Sequence, residues 1–462
     1  MRALELLSLP VLLWLLSEKE MGLGALSWTV AVVVDAYNGL GLGTAIVQSR
    51  SLAKQTLDSA FWFTLGFAVL LFAGCAALSP FIAEFFREPA LGLMLVVGST
   101  DVLWAGASTV PRKVLARELR FKELAAAETL SVGVAIIVKI ALALAGFGAW
   151  ALVIGHASES LALLVAVNLL APYRPSAHFA FSDIKNELRF GIKVAASGIV
   201  YNTYRNLDYA VVGRLFGTAA LGVYRVAFEV AMSPSMSVLG VVNGAAFPVY
   251  SRVAHDPPRL KESFLFTTRN LIVLTGPIAV FLAFSAPNLI PLIEHGKWNA
   301  AIPIVQVLCW AALFRSLAHL SPQVLHAVGR PDLAFYESVL TLALLSLMFW
   351  LASNLGQSLG VMSVAWGWLL IYPAVLWTLW MFKRRLIGLR LSEYLKSFGA
   401  GICAMAAVAL TLGAVSLVRL PSASSLTMLL VQLAVAVTTI LLFVRYALGV
   451  RPRDVLHPNS EA

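Results

Sequence analysis

Nine ionisable residues stand inside otherwise apolar stretches of the chain: Asp35, Asp101, Lys139, Glu159, Arg205, Asp208, Arg225, Glu229 and Arg315. A charge at mid-bilayer costs at least about 2.5–3.5 kcal/mol on insertion scales, so each must meet a partner, a wet cavity or a charged cargo. Arg205 and Asp208 are spaced i, i+3, and Arg225 and Glu229 i, i+4, so a continuous helix brings each pair onto one face. Such pairs either compensate each other and pin two helices together, or offer a guanidinium fork to phosphate or carboxylate. Arg315 has no acid within a turn of its own helix. Its charge must be answered by another helix or by the cargo, which makes it the preferred substrate contact over Arg205 and Arg225. Tyr201, Asn202, Tyr204 and Asn206 accompany Arg205 and Asp208. Their rings and amides suit sugar faces and hydroxyls, although Tyr201 and Tyr204 also have the spacing of ordinary bundle packing.

Asp35, Asp101 and Glu159 lie in the first half of the chain with Lys139. A bridge from Lys139 to one of the three acids is the structural expectation. The functional one is a carboxylate that takes up H+ or Na+ and couples transport to an ion gradient. The histidines include no HExxH or other metal-ligand spacing, and His319 and His326 read as interfacial or structural. Cys75, Cys309 and Cys403 each sit in apolar surroundings and read as inert buried residues. No phosphate-cradling loop or nucleophile elbow occurs, so neither a catalytic residue, a cofactor nor a metal is expected.

These residues must be held by membrane helices. Of the 462 residues 60% are hydrophobic and 13% charged, against about half and a quarter in a soluble domain. At roughly 20 apolar residues per crossing, the chain divides into fourteen candidate spans, near 3–17, 22–47, 59–80, 91–111, 128–146, 149–170, 191–213, 220–245, 267–293, 300–321, 335–353, 359–381, 397–418 and 425–447. Few connections are long, so no soluble domain fits, and the net charge of +10 does not point to nucleic acid, which needs a basic soluble face. The charge is a topology signal instead. With the N-terminus inside, 25 of the 34 Lys and Arg fall on the cytoplasmic side. The outer loops hold only Lys19, Arg87, Arg214, Lys297 and Arg419. Removing one span would scatter this asymmetry, so both termini are expected in the cytoplasm. Arg2 followed by Leu6 to Leu16 has the outline of a signal peptide, but Ser17-Glu18-Lys19-Glu20 offers no small-residue cleavage site.

A weak internal repeat organises the spans. Ser17 to Leu23 resembles Gly217 to Val223, Ser79-Pro80 resembles Ala286-Pro287, and Gly148 to Gly155 resembles Gly360 to Gly367, in the same order and at a slowly growing offset. The expected fold is therefore an all-α integral membrane bundle of two parallel six-helix lobes: residues 1–172 (spans 1–6) and 191–382 (spans 7–12). Residues 173–190 form an interfacial linker, and 383–462 hold two further helices and a cytoplasmic tail. Phe181 to Gly191 alternates apolar and charged residues as an amphipathic hinge helix would. Two such lobes facing a central cavity suit alternating access. In this register the first span is about a dozen residues shorter than the seventh, which would place the true start upstream of Met1.

The combination Asn206-Leu207-Asp208, Gly213-Arg214, Gly217, Leu221-Gly222-Val223-Tyr224, Ala227, Pro234 and Phe247-Pro248 resembles the start of the second lobe in bacterial polysaccharide flippases. Gly41-Leu42-Gly43 to Gln48 is similar to the same family. These flippases belong to the multidrug, oligosaccharidyl-lipid and polysaccharide exporter superfamily. The resemblance implies translocation of an undecaprenyl pyrophosphate-linked saccharide across a bacterial inner membrane, in a lipid environment shared with polysaccharide polymerase machinery. It also implies a cavity lined by spans 1, 2, 7 and 8. Two other readings compete. A cation-coupled drug exporter of the same superfamily would share the lobes, and a membrane glycan polymerase or ligase would share the hydrophobicity. The latter needs a sizeable external catalytic loop, whereas every outer loop here is about ten residues or shorter.

Overall fold

The computed structural model describes residues 2–48, 53–170, 172–293, 296–355, 357–417 and 424–447. Arg50, Arg419, Arg451 and Arg453, counted above for topology, lie outside them. The described residues form helices and no strands. The chain divides into two compact units, Met1–Arg225 and Val226–Ala462, where the repeat divides it at the 173–190 linker. The first holds α1 (Arg2–Leu15), α2 (Glu18–Asp35), α3 (Leu42–Gln48), α4 (Lys54–Phe86), α5 (Pro89–Gly98), α6 (Thr100–Arg117), α7 (Phe121–Leu144), α8 (Ala149–Leu170), α9 (Lys185–Arg205) and the start of α10 (Leu207–Val253). The second holds the rest of α10, then α11 (Pro257–Leu289), α12 (Ala301–Ala318), α13 (Ser321–Ala327), α14 (Pro331–Leu355), α15 (Met362–Ile387), α16 (Leu391–Ser397), α17 (Gly399–Leu417) and α18 (Ser425–Ala447).

Among the described residues, eleven helices are long and apolar enough to cross a bilayer, or twelve if the bent pair Glu18–Asp35 and Asn38–Val47 is one span. The expected fourteen are not reached by this criterion, for two physical reasons. The 14 residues of α1 rise only about 21 Å at 1.5 Å each, short of a hydrocarbon core of about 30 Å. The 47 residues of α10 would rise about 70 Å, more than twice that core. Gly217 interrupts α10 at φ 85°, ψ 173°, so the limbs before and after it count as one helix only by hydrogen-bond continuity.

Breaks of this kind position the charges. Span 2 bends by 43° where Gly39, Leu40 and Gly41 all take positive φ. A Cβ on Gly41 would lie 2.2 Å from the Gly191 carbonyl oxygen, so the turn brings the backbone of α9 into direct contact. At the opposite end of α2, Ser17 and Glu20 form a capping box. The Ser17 hydroxyl accepts from Glu20 N–H and the Glu20 carboxylate accepts from Ser17 N–H, which starts the helix sharply. One turn on, a Cβ on Gly22 would stand 1.7 Å from the Thr218 carbonyl oxygen, and one on Gly222 1.9 Å from that of Glu18. The two glycines that the repeat register pairs thus lie backbone to backbone, the approach that small residues permit between membrane helices.

The linker is strapped to α4. Buried Asp58 accepts from the Tyr173 hydroxyl at 2.8 Å and from Ser176 Oγ. Trp62 Nε1 donates to the Ser176 carbonyl at 2.8 Å, and Ser59 Oγ accepts from Ala180 N–H and donates to Asp183. Burial and the Asp58 carboxylate push the Tyr173 phenol above its ordinary range. The hydrogen bond from His178 Nε2, at 2.8 Å, holds Asp183 below the usual carboxylate range. The amphipathic stretch itself becomes a 3-10 turn, Phe181–Asp183, and the first turns of α9. Its apolar side, Ile184 and Leu188, packs with Leu42, Ile46, Ala60 and Val110.

Candidate functional site

In the first unit, the expected Arg205–Asp208 face does not form, because α9 ends at Arg205 and Asn206, at φ −113°, ψ 6°, lies outside helical geometry. Arg205 is exposed and, among the described residues, makes no ion pair, whereas Asp208 is fully buried and accepts from the Tyr224 hydroxyl at 2.8 Å. Tyr224 in turn meets the edge of Tyr209 with ring centroids 6.0 Å apart. Tyr201 and Tyr204 pack edge to face at 5.3 Å. Asn206 Nδ2 donates to the Asn202 carbonyl four residues back, so this amide serves its own helix end.

The first-half carboxylates gather elsewhere in the same unit. Asp35, exposed at the end of α2, accepts from Asn38 Nδ2 at 3.3 Å, and the same amide reaches the Val102 carbonyl. Asp101 bonds to Ser160 and lies within electrostatic reach of Asp35 and Glu159. Lys139 is buried, its stem filling the space where a Cβ on Gly155 would fall, 2.1 Å from its Cγ. Its Nζ lies 3.3 Å from His156 Nδ1, which stands 3.9 Å from Glu159 Oε2. Trp28 stacks on the imidazole at 4.1 Å. Arg225, half-buried, contributes its charge to the same imidazole. A cavity of about 10 Å³ lined by Gly24, Trp28, Asp101 and His156 has the volume of one water. Sequence reasoning placed the acids and Lys139 but missed His156, whose one signal was its place after Gly155 in the repeat motif. Among the described residues no three His, Cys, Asp or Glu side chains are grouped to hold a metal ion.

In the second unit, Arg315 on α12 is 3% exposed. Its guanidinium carbon stands 5.0 Å from the Trp368 ring centroid and 5.4 Å from that of Phe228. Trp368 is stacked on Tyr372 and edged by Phe349. The charge left open by its own helix is therefore met by aromatic faces, an attraction worth about 2 kcal/mol or more once desolvated. Glu229 accepts from Ser233 Oγ at 2.8 Å. His319 Nδ1 lies 2.8 Å from the Arg315 carbonyl oxygen, and His326 is exposed. Cys75 and Cys309 are buried as expected, but Cys403 is exposed beside Ile402 on an outward face of α17.

A second buried charge cluster in this unit was missed. Lys383, which follows the span near 359–381 and is one of the 25 basic residues on the cytoplasmic side of the expected topology, and Glu337 are each 3% exposed, with Nζ 4.0 Å from Oε1. Ser321 Oγ joins them, donating to the carboxylate at 2.8 Å and accepting from the ammonium. Lys383 also donates to the Leu379 carbonyl and lies 5.6 Å from the Phe264 ring centroid. The run Lys383-Arg384-Arg385 disguised it, because only its first member turns inward.

Residues 11–303 match the sequence profile described as polysaccharide biosynthesis protein. The chain belongs to the polysaccharide biosynthesis protein family. Among curated relatives, it is 24% identical over 371 residues to the lipopolysaccharide biosynthesis protein WzxC of Escherichia coli (strain K12), covering 80% of this chain and 75% of that protein. It is 27% identical over 345 residues to the teichuronic acid biosynthesis protein TuaB of Bacillus subtilis (strain 168), covering 72% of this chain and 68% of that one. The fold of this polysaccharide biosynthesis protein is shared with the lipid II flippase MurJ in its inward closed conformation, at TM-score 0.76 and 13% identity over 98% of this chain and 97% of that chain. It is also shared with an inward-facing multidrug resistance MATE family transporter of the MOP superfamily, at TM-score 0.63 and 16% identity over 84% of this chain and 95% of that chain.

Proposed function

We propose that this protein moves a lipid-linked saccharide precursor across the bacterial inner membrane by alternating access, in cell-surface polysaccharide biosynthesis. The observation that carries the reading is Arg315, a guanidinium held inside an apolar bundle by Phe228 and Trp368, in a chain of the polysaccharide biosynthesis family. An undecaprenyl pyrophosphate is a lipid whose anionic head needs a cation at depth, and a guanidinium fork fits phosphate. In this reading Arg315 contacts the cargo, Arg205 and Arg225 add positive potential, and Tyr201, Tyr204, Asn206, Asp208 and Glu229 border its path. Residues 1–172 and 191–382 rock as the two lobes, with both termini cytoplasmic, and polymerase machinery takes the delivered precursor. Asp35, Asp101 and Glu159 act as the coupling carboxylates for H+ or Na+.

Loss of the protein should make the lipid-linked saccharide accumulate on the cytoplasmic leaflet. Arg315→Ala should fail to restore surface polysaccharide while inserting at the wild-type level. The fold shared with a drug transporter keeps drug export as a second reading. Normal polysaccharide with raised drug sensitivity in the deletion strain would replace the first reading by that one.

A further inference from the structure

The turn between α4 and α5 carries a site that the transport reading does not use. The span Lys54–Phe86 ends and the next begins at Pro89, so Arg87 and Glu88 form the turn that joins two apolar crossings, the depth at which headgroups are met. Below them a cleft of about 750 Å³ opens between the two helices, walled by Pro80, Ala83, Gly92, Leu93 and Val96, with Glu84 and Arg87 at its mouth. That volume lies within the roughly 300–1,000 Å³ of small-ligand sites. Pro80 is seven residues from Arg87, so the apolar wall reaches about 10 Å below the mouth at 1.5 Å per residue. Gly92 keeps the cleft open.

The charges at the mouth are arranged unusually. Glu84 and Arg87 are spaced i, i+3, which on a regular helix favours an ion pair. Arg87, however, closes α4 in the left-handed conformation at φ 58°, ψ 32°, which takes its side chain off the face that Glu84 occupies. Both are exposed, and among the described residues they make no ion pair with each other. The next acid, Glu88, is committed elsewhere, to Lys19 at 3.3 Å and to the Thr218 hydroxyl at 2.7 Å. One guanidinium and one carboxylate therefore flank an apolar cleft at the membrane surface.

We propose that this cleft binds a zwitterionic aminophospholipid, with its phosphate on Arg87, its primary ammonium on Glu84 and one acyl chain along Leu93 and Val96. An anionic glycerol headgroup would satisfy Arg87 and leave Glu84 opposed. A trimethylated headgroup has no N–H to donate to Glu84. The inference does not depend on which cargo the protein moves.

The full-length protein, reconstituted in nanodiscs with equal phosphatidylethanolamine, phosphatidylglycerol and phosphatidylcholine, can be extracted and its retained lipid read by native mass spectrometry. Phosphatidylethanolamine should be retained preferentially. Glu84→Gln should reduce that preference over phosphatidylglycerol roughly tenfold, the loss of one charge-assisted hydrogen bond, and Arg87→Gln should remove retention of both. Gly92→Leu should also abolish it. A Cβ there makes only ordinary contacts, with Ala83 Cβ at 3.6 Å and Ser79 O at 3.9 Å, so the substitution adds bulk to the cleft wall without a clash at Cβ, and leucine favours the helix over glycine. Equal retention in wild type and all three variants, or a wild type that prefers phosphatidylglycerol, would overturn the proposal.

Discussion

The buried charges of the first unit and those of the second are built on opposite plans. Around His156 the contacts are long and chained, 3.3 Å from Lys139 and 3.9 Å to Glu159, with exposed Asp35 at the margin and room for one water. Around Lys383 the groups are closed: the Ser321 hydroxyl bridges an ammonium and a carboxylate 4.0 Å apart, accepting from the first and donating to the second at 2.8 Å, and both charged side chains are almost wholly excluded from solvent. A loose, wet chain can exchange a proton or ion at little cost, while a dry pair holds one charge state and fixes helix positions, since parting it leaves a bare charge in low dielectric. In the proposed transport cycle the first region is suited to a change of state and the second to rigidity.

The sharpest way to break that contrast is to remove one partner of the dry pair. Lys383→Met should destabilise by about 3–5 kcal/mol, the cost of stranding the Glu337 carboxylate, and should reduce folded protein after detergent extraction. Adding Glu337→Leu should recover most of the loss, as replacing both members of a buried pair by apolar groups commonly does. A single variant that melts with wild type would show the pair to be dispensable.

Next in size is the glycine crossing of the first unit. Gly22→Leu must displace backbone, because even a Cβ would stand 1.7 Å from the Thr218 carbonyl oxygen, and overpacking of this kind costs about 1–3 kcal/mol. Thermal melting should show it, while Gly133→Leu, where a Cβ meets nothing within 4 Å, should melt as wild type. By contrast Asp101→Asn keeps a partner for Ser160 and removes the carboxylate that lies within electrostatic reach of Asp35 and Glu159. Its melting should move by less than about 1 kcal/mol, but the pH or Na+ dependence of transport should change. A large loss of stability with unchanged ion dependence would make the first cluster as structural as the second.

Composition and the spacing of apolar runs revealed the helical membrane fold because the bilayer imposes a length on every crossing. The breaks were harder to see. Asn206 ends α9 and separates Arg205 from Asp208, yet nothing in a run of polar residues announces which of them leaves the helix. Arg315 stood out because its helix held no acid, but its partners, Phe228 and Trp368, are distant in sequence and common as packing residues. Glu337, near the start of the span at 335–353, and Lys383, just past the span at 359–381, were not singled out, since depth follows from tertiary packing and not from position in a hydrophobic window. Gly22 and Gly222 were already paired by the repeat register, but a register relates positions without saying which of them touch, and their contact came from the structure.

The smallest expected effect concerns the strap, which resembles the first region in being titratable and the second in being well bonded. His178 holds Asp183 below its usual carboxylate range, so the folded state prefers the ionised form. A group whose folded pKa is depressed stabilises above its unfolded pKa, near 3.9 for aspartate, and loses that contribution as pH falls through the folded value. Hydrogen exchange at Ala180 N–H, which bonds to Ser59 in the same network, should therefore be slow from neutral pH down to about 4 and rise below it beyond the ordinary pH trend. In Asp183→Asn that excess should shrink, because only Asp58, bonded by Tyr173 and Ser176, then remains in the strap to protonate. Protection that ignores pH in both proteins would mean that Asp58, through Tyr173 and Ser176, fastens the strap by itself.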